Sequence, residues 1–334
     1  MTDILVDGLR AAVGPVAIYY ALAALGLNLH FGYTGLLNFG QVGFMLVGGY
    51  GVAVSVAIWQ WPLWVGVIFA LALVTVLALL LGVPTLRLRA DYLAITTIAA
   101  AEILRFVTRS SPATDVTAGP FGIPSQISDA RGFADGFYAP TFFGVNLNPF
   151  TQTADYVLGP LTFTGKRLWV IVFGWGLVLL VTGLLWFLMR SPWGRVIRAI
   201  REDEDAARAL GKNVFSYKMQ SLVLGGLMGG LAGVILAFSQ EAIFPDIFMP
   251  QVTFYAYTIL ILGGTATTWG PLLGAVLFQF LITAGDSVLR GIEVIPNNSI
   301  GGIRFALVGL VLMLLTIYRP QGLTGNREEM MLDA

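Results

Sequence analysis

The chain has 334 residues, of which 57% are hydrophobic and 11% charged, with a formal net charge of zero and no cysteine; its mean hydropathy is +0.80. These values exclude an ordinary soluble protein, leave no disulfide or thiolate metal site, and offer nucleic acid no basic surface. The class that fits is an all-α integral membrane protein, a polytopic helical bundle whose apolar runs approach the ~20 residues that cross a hydrocarbon core as helix.

The opening residues, MTDILVDGLR, lack a basic stretch, and no small-residue cleavage site follows, so the first apolar run, 11–29, reads as a span rather than a removed signal peptide. The stretch GLNLHFGYTGLLNFGQVGFMLVGGYG, residues 26–51, is glycine-dense and polar where a span should be plain. Backbone that leaves the helix in lipid must be buried in protein or face a wet cavity, so this stretch reads as a broken segment facing inward. Gly32, Gly35 and Gly40 permit the turn, and Gly43, Gly48 and Gly49 admit a neighbouring helix. Asn28, Asn38 and Gln41 either bond freed backbone groups or line a path. His30 is expected as a packed side chain rather than a ligand. Runs 36–58 and 62–83 follow, with Trp59, Trp61 and Trp64 at their junction as an aromatic belt. Arg87 and Arg89 mark an inside loop before a weaker span, 91–108, in which Glu102 and Arg105 form an i, i+3 pair.

Residues 109–167 form a long connection rich in Gly, Pro and aromatics, including Phe121, Phe133, Phe137, Tyr138, Phe142 and Phe143. Docking of a protein and simple packing on the bundle are both open to it. After the run 169–189, seven of the nineteen basic residues lie between Arg190 and Lys218, which places that connection inside. Counting back from it puts 109–167 outside and, by alternation, the N-terminus outside as well. The inside segment, 191–213, starts with Ser-Pro and stops at Gly211, Lys212 and Asn213, the signature of one or two short helices. Arg198 with Glu202, Arg201 with Asp205, and Glu204 with Arg208 are i, i+4 pairs of opposite charge. The four consecutive acids Glu202, Asp203, Glu204 and Asp205 suit a protein partner better than an anionic leaflet. Runs at 219–238, 251–263, 269–285 and 305–318 bring the total to about nine spans, within a range of eight to ten, and Arg319 and Arg327 place the C-terminus inside. A second interruption, ILILGGTATTWGPLLGAV, falls between 259 and 276 with Gly263, Gly264, Thr265 and Gly270 at its centre. One glycine-interrupted segment in each half of a transporter points to the substrate path. Gly35, Gly40, Asn28, Asn38, Gln41 and the second group are therefore the candidate path residues, and the two breaks are expected to meet near the midplane.

The string DAARALG, residues 205–211, resembles the EAA-x-x-x-G loop of ATP-binding-cassette importer permeases, with Asp205 in place of Glu. RAIREDEDAARALGKNVFSYK is similar to the same loop of branched-chain amino-acid (LIV) permeases of the LivM type, as are LGLNLHFGYTGLLNFGQVGF, LRLRADYLAITTIAAAEILR, LGGTATTWGPLLGA and YRPQGL. Together these cover most of the chain outside 109–167. Ala266 departs from the family pattern, which has glycine there, and the connection after Pro124 is longer than the family's. The resemblance implies that 191–213 is a cytoplasmic coupling helix docking into an ATPase through Arg198, Arg201, Glu202, Asp203, Glu204, Asp205, Ala206, Ala207 and Gly211. It also implies a single permease domain spanning 1–334, multi-pass in a bacterial inner membrane. The expected partners are a second homologous permease, two cytoplasmic ATPase subunits and an extracytoplasmic substrate-binding protein, besides membrane lipid.

The residues agree with that division of labour. No Gly-x-x-x-x-Gly-Lys-Ser/Thr is present, one His and no in-span carboxylate pair exclude an active site, and no cofactor or metal is expected. The in-span ionisable groups Asp91, Glu102, Arg105 and Asp286 all lie toward span ends, a poor equipment for ion coupling. ATP-driven import of branched-chain amino acids is the leading reading; a urea or short-amide importer and, from another class, a channel or secondary carrier are the alternatives. Cysteines at Ser125 and Ser128 of this cysteine-free chain are expected to react with an impermeant thiol reagent from outside only; labelling from the cytoplasmic side would overturn the orientation.

Overall fold

A computed structural model describes residues 2–87, 90–124, 133–142, 145–146, 148–240, 242–290, 300–318 and 321–325. Arg89, Arg319 and Arg327, used for orientation, lie outside these residues, as do Ser125, Ser128 and Phe143.

Helix α1 (Thr2–Ala12) leads into α2 (Pro15–Leu27), whose Pro15 sits in the first turn where its missing N–H costs nothing. α2 continues without a break into a π-helical turn, Asn28–Tyr33, and the irregular backbone follows at 35–40. The first span is accordingly Pro15–Tyr33 rather than 11–29. Gly26 does not open the break, because it is a helical site of close approach to the Gly225 backbone. α3 (Gln41–Ala53) then runs through a second π-helical stretch, Val54–Ile58. Helices α4 (Leu63–Thr85) and α5 (Ala90–Arg109) complete the first half. Trp59 and Trp61 cluster with Phe69 at the start of α4, and Trp64 is exposed beside them, as an interfacial belt requires.

The described parts of the long connection hold two single-turn helices, α6 (Thr114–Thr117) and α7 (Asp135–Tyr138), and short strands β1 (Ile123–Pro124), β2 (Thr141–Phe142), β3 (Val145–Asn146), β4 (Asp155–Leu158) and β5 (Leu161–Thr164). β2 pairs with β3 and β4 with β5, both antiparallel. α8 (Gly165–Arg190) is followed by the surface pair α9 (Pro192–Glu202) and α10 (Glu204–Ala209), then by α11 (Val214–Ser239) and β6 (Ala242–Ile243), which pairs with β1 and pins the connection to the end of α11. The chain closes through α12 (Pro250–Gly263), α13 (Gly270–Arg290) and α14 (Ile300–Tyr318).

Among the described residues six helical spans are long and apolar enough to cross a membrane. α5, α12 and α14 stand at the other three expected positions. At 1.5 Å per residue α12 is only ~21 Å long, shorter than a core of about 30 Å, and it packs against α13 as a hairpin. Burial separates centre from periphery: 89% of the span formed by α2 and its π turn and 83% of that formed by α3 are buried, against 28% for α4 and 22% for α13. The central trio α2, α3 and α11 is held by a glycine stripe in α11. Gly225 and Gly229 lie against His30 and Gln41, Gly226 against Phe44, Gly230 against Val74, and Gly233 against the Met45 carbonyl. Small residues at this spacing let helix backbones approach where lipid gives no hydrophobic drive.

The α9–α10 pair occupies one end of the bundle, and the strand-bearing connection the other. α2 starts at that second end, where Arg10, in the last turn of α1, donates to Thr162 Oγ1 of β5 at 3.2 Å. Phe137 stacks on Phe238 at 4.5 Å, and the Trp169 indole donates to the Phe137 carbonyl at 2.7 Å. Phe133 and Phe137 are thereby spent on packing, whereas Phe121 stands 90% exposed. The Glu102–Arg105 pair forms at 2.8 Å and extends to Asp246 at 3.0 Å, tying α5 to the segment before α12.

A methyl group at Gly233 would overlap the Met45 backbone, while one at Gly183 of α8 would meet nothing. Gly233→Ala is expected to destabilise by ~1–3 kcal/mol and Gly183→Ala not at all, read as the melting of detergent-solubilised protein; equal melting temperatures would refute the close-packed trio.

Candidate functional site

Residues 34–42 carry the freed backbone groups of the first break, and side chains from three helices satisfy them. The Phe39 N–H donates to Thr97 Oγ1 of α5 at 3.1 Å, the Val42 N–H to Thr253 Oγ1 of α12 at 3.0 Å, and the Asn38 carbonyl accepts from the Tyr257 hydroxyl of α12 at 3.0 Å. Thr34 bonds the Leu29 carbonyl at 2.7 Å and Ser221 of α11 at 2.6 Å. Beneath them lies a buried amide network. Asn38 Oδ1 accepts from the Gly40 N–H at 2.9 Å, and Asn38 Nδ2 donates to Gln41 Oε1 at 3.1 Å and to His30 Nδ1 at 3.0 Å. Gln41 Nε2 donates to the Gly225 carbonyl at 3.1 Å. His30 Nε2 faces the Leu222 carbonyl at 3.2 Å, and since a carbonyl only accepts, the proton sits on Nε2 and the ring is neutral. His30 is the packed side chain expected of it. Buried polar networks tolerate no idle group, which is why a membrane span holds this many amides without exposing one.

The second break, 264–269, turns on Gly264 at φ +116° and Ala266 at φ +57°. Its orphan carbonyls are met from the end of the chain: Leu323 N–H donates to Leu262 and Thr324 N–H to Gly263, each at 3.0 Å, and Thr324 Oγ1 donates to Gly263 at 2.7 Å. Asn28 joins the two breaks. Its Oδ1 accepts from the Ala266 N–H at 2.9 Å and its Nδ2 donates to the Thr267 carbonyl at 2.7 Å. Of the expected path residues, Asn28, Asn38 and Gln41 are fully buried and Gly35 is exposed at φ +74°. Gly40 abuts the Thr97 backbone, Gly263 and Gly270 abut each other, and Thr265 is half-buried. Half-buried Phe31 and Phe39, with exposed Phe254, form an aromatic cluster with Tyr257 beside both breaks. Sequence reasoning missed Thr97, Ser221, Thr253, Tyr257 and Thr324; their signal was a lone uncharged polar group in an apolar helix or at its end.

The surface segment 191–213 is two helices because Asp203, at φ −151° and ψ 108°, leaves the helical region and caps α10, its carboxylate accepting from the Asp205 N–H at 2.8 Å and the Ala206 N–H at 3.0 Å. That kink corrects the expected charge ladder. Among the described residues Glu204–Arg208 forms at 3.4 Å, joined by Asp205–Arg208 at 2.9 Å, but Arg198–Glu202 and Arg201–Asp205 do not. Arg198 turns back to the Met189 carbonyl at 2.7 Å, and Arg201 Nη1 donates to the Gly32 carbonyl at 2.5 Å. Glu204 also pairs with Lys218 of α11. Ile200, Ala207 and Val214 plug the pair against the bundle, while Glu202, Asp205 and Ala206 stay exposed and Leu210, 79% exposed, forms the tip. Gly211 follows at φ +75°, its N–H donating to Arg208 at 2.9 Å, and nothing stands near its missing Cβ.

A family profile described as "Branched-chain amino acid transport system / permease component" matches residues 12–317. The chain belongs to that permease family. It is a multi-pass membrane transport protein and not itself an enzyme. The permease is 30% identical to the high-affinity branched-chain amino acid transport system permease protein LivM of Salmonella typhimurium, across 93% of this chain and 69% of that one. It is 25% identical to a probable LivM of Methanocaldococcus jannaschii, across 91% of this chain and 90% of that one. A shorter match, 32% identical, covers 35% of this chain and 33% of the autoinducer 2 import system permease protein LsrC of Yersinia pestis. The permease's departure at Ala266 falls on a left-handed residue, a conformation that a Cβ disfavours by about 1–2 kcal/mol. Allowing for glycine's greater unfolded-state freedom, Ala266→Gly is expected to stabilise by roughly 0.5–1 kcal/mol, measured as a rise in melting temperature; a fall would show that the methyl packs usefully.

Proposed function

We propose that this chain is one membrane-spanning subunit of an ATP-binding-cassette importer that carries branched-chain amino acids inward across the inner membrane by ATP-driven alternating access. The names of its relatives support the substrate class. The sequence has no phosphate-cradling loop, so hydrolysis falls to two cytoplasmic ATPase subunits, and a second homologous permease and an extracytoplasmic binding protein complete the assembly. The observation that carries the reading is the α9–α10 pair: a charged element whose tip presents an exposed leucine, Leu210, is built to seat an apolar anchor in a protein pocket with a charged rim. Exposed Glu202 and Asp205 supply the charge, Ala206 adds a small exposed contact, Asp203 and Ala207 hold the shape, and Glu204 anchors it to α11.

The substrate path in this reading runs beside the two breaks, where Phe31, Phe39 and Phe254 offer an apolar wall for a branched aliphatic side chain. The residues Asn28, Gly35, Asn38, Gly40, Gln41, Gly263, Gly264, Thr265 and Gly270 shape that wall from behind. Smooth, weakly binding walls suit transport, because a deep well would slow release.

Proteoliposomes holding the complete transporter test the reading. Gly211→Pro forces φ toward −65° where +75° is required and removes the N–H bonded to Arg208. That variant and Leu210→Asp are expected to insert normally yet lose ATP-driven leucine uptake by about ten-fold or more, the scale of one lost interface hot spot. Parental uptake by both would sink the coupling role, and uptake of urea in preference to leucine would sink the substrate.

A further inference from the structure

Arg201 stays exposed like its neighbours Glu202 and Asp203, yet its side chain is tied to the first span. Its guanidinium donates to the Gly32 carbonyl, and its stem lies along Gly35, where a Cβ would stand 3.4 Å from Arg201 Cγ and 3.9 Å from Arg201 Cβ. Gly32 is in the last turn of the first span, where helical carbonyls lack a downstream partner and carry the negative end of the helix dipole. From this turn the bonding continues. Gly32 sits so close to Asn28 Oδ1 and the Ala266 N–H that no side chain fits between them, and Asn28 holds both the Ala266 N–H and the Thr267 carbonyl. Thr267 in turn bonds Thr324 at 3.0 Å.

α9 otherwise meets the bundle through Ile197 and Ile200, apolar plugs that resist separation but not sliding, and through Arg198 and Trp193, which reach Met189 and Gln220 in the flanking helices. Among the described residues Arg201 makes the one directional bond from α9–α10 to either break. We propose that Arg201 is an internal latch, a positioning residue that makes α9, the turn at 28–35 and the hairpin turn at 264–268 move as one body, rather than a contact with the ATPase. The proposal rests on the reading of α9–α10 as the coupling element.

The readout is the number of ATP molecules hydrolysed per leucine imported by the complete transporter in proteoliposomes. Arg201→Met is expected to keep hydrolysis while uptake falls, raising that ratio about ten-fold, within the range of single-residue coupling effects. Arg201→Lys, which can still donate to Gly32, is expected to restore most of the coupling. A parental ratio for Arg201→Met overturns the latch. A second variant covers the case in which Arg201→Met assembles poorly. Arg201→Gln, which stays polar but is too short to reach the Gly32 carbonyl, is expected to raise the ratio likewise. A parental ratio for Arg201→Gln also overturns the latch. Leu210→Asp separates the two levels: if that variant transports normally the coupling element itself is misassigned, whereas if it is inactive while Arg201→Met stays coupled the latch alone fails.

Discussion

Everything in this architecture depends on one constraint: inside a bilayer a backbone group that leaves a helix has no water to turn to. Two interruptions in one chain would double the difficulty, yet here each helps to solve the other. A single primary amide, Asn28, spends its oxygen on one N–H of the second break and one of its N–H groups on a carbonyl there. The hydroxyls of Thr97, Thr253 and Tyr257 complete the first break from two other helices. The breaks are therefore not loose places in the bundle but directionally bonded ones, and they tie together the helices that supply the partners.

Glycine does two separate jobs around this region. At Gly35, Gly211 and Gly264 the backbone takes a positive φ, and the residue is chosen for its torsional freedom. Along α11 the glycines are ordinary helical residues, and what matters is the missing volume that lets α2 and α3 come close. The first kind makes turns. The second fixes the platform on which those turns are mounted, a buried centre inside a more exposed shell of α4, α8 and α13.

Much of this was legible in the residues. Hydropathy located helices at every expected span, because a continuous apolar run of this length has no other stable form in lipid. The positions of the two breaks were read from Gly and amide density, and their meeting from the placement of one in each half; the expected midplane position was not borne out, since Gly32, against Ala266, lies at the end of the first span and bonds Arg201 of the surface helix α9. The end of the first helix was misplaced by several residues, since Gly26 looks in sequence like Gly35 and only the neighbouring α11 backbone distinguishes a close approach from a turn. One or two helices were open for 191–213, but the charge pairs were read on unbroken i, i+4 spacing, and no local pattern outweighed it to show that the Asp203 cap parts Arg201 from Asp205. The α11 stripe carried its own signal, Gly225, Gly229 and Gly233 four apart, but no interruption drew attention to it.

The closing turn at 321–325 bears on how the molecule is made. The hairpin of α12 and α13 leaves the ribosome with the Leu262 and Gly263 carbonyls uncommitted, and the donors that engage them, Leu323 and Thr324, are translated some sixty residues later. Insertion and completion are thus distinct events in biogenesis. Until 321–325 fold back onto it, the α12–α13 turn keeps two carbonyls without these donors.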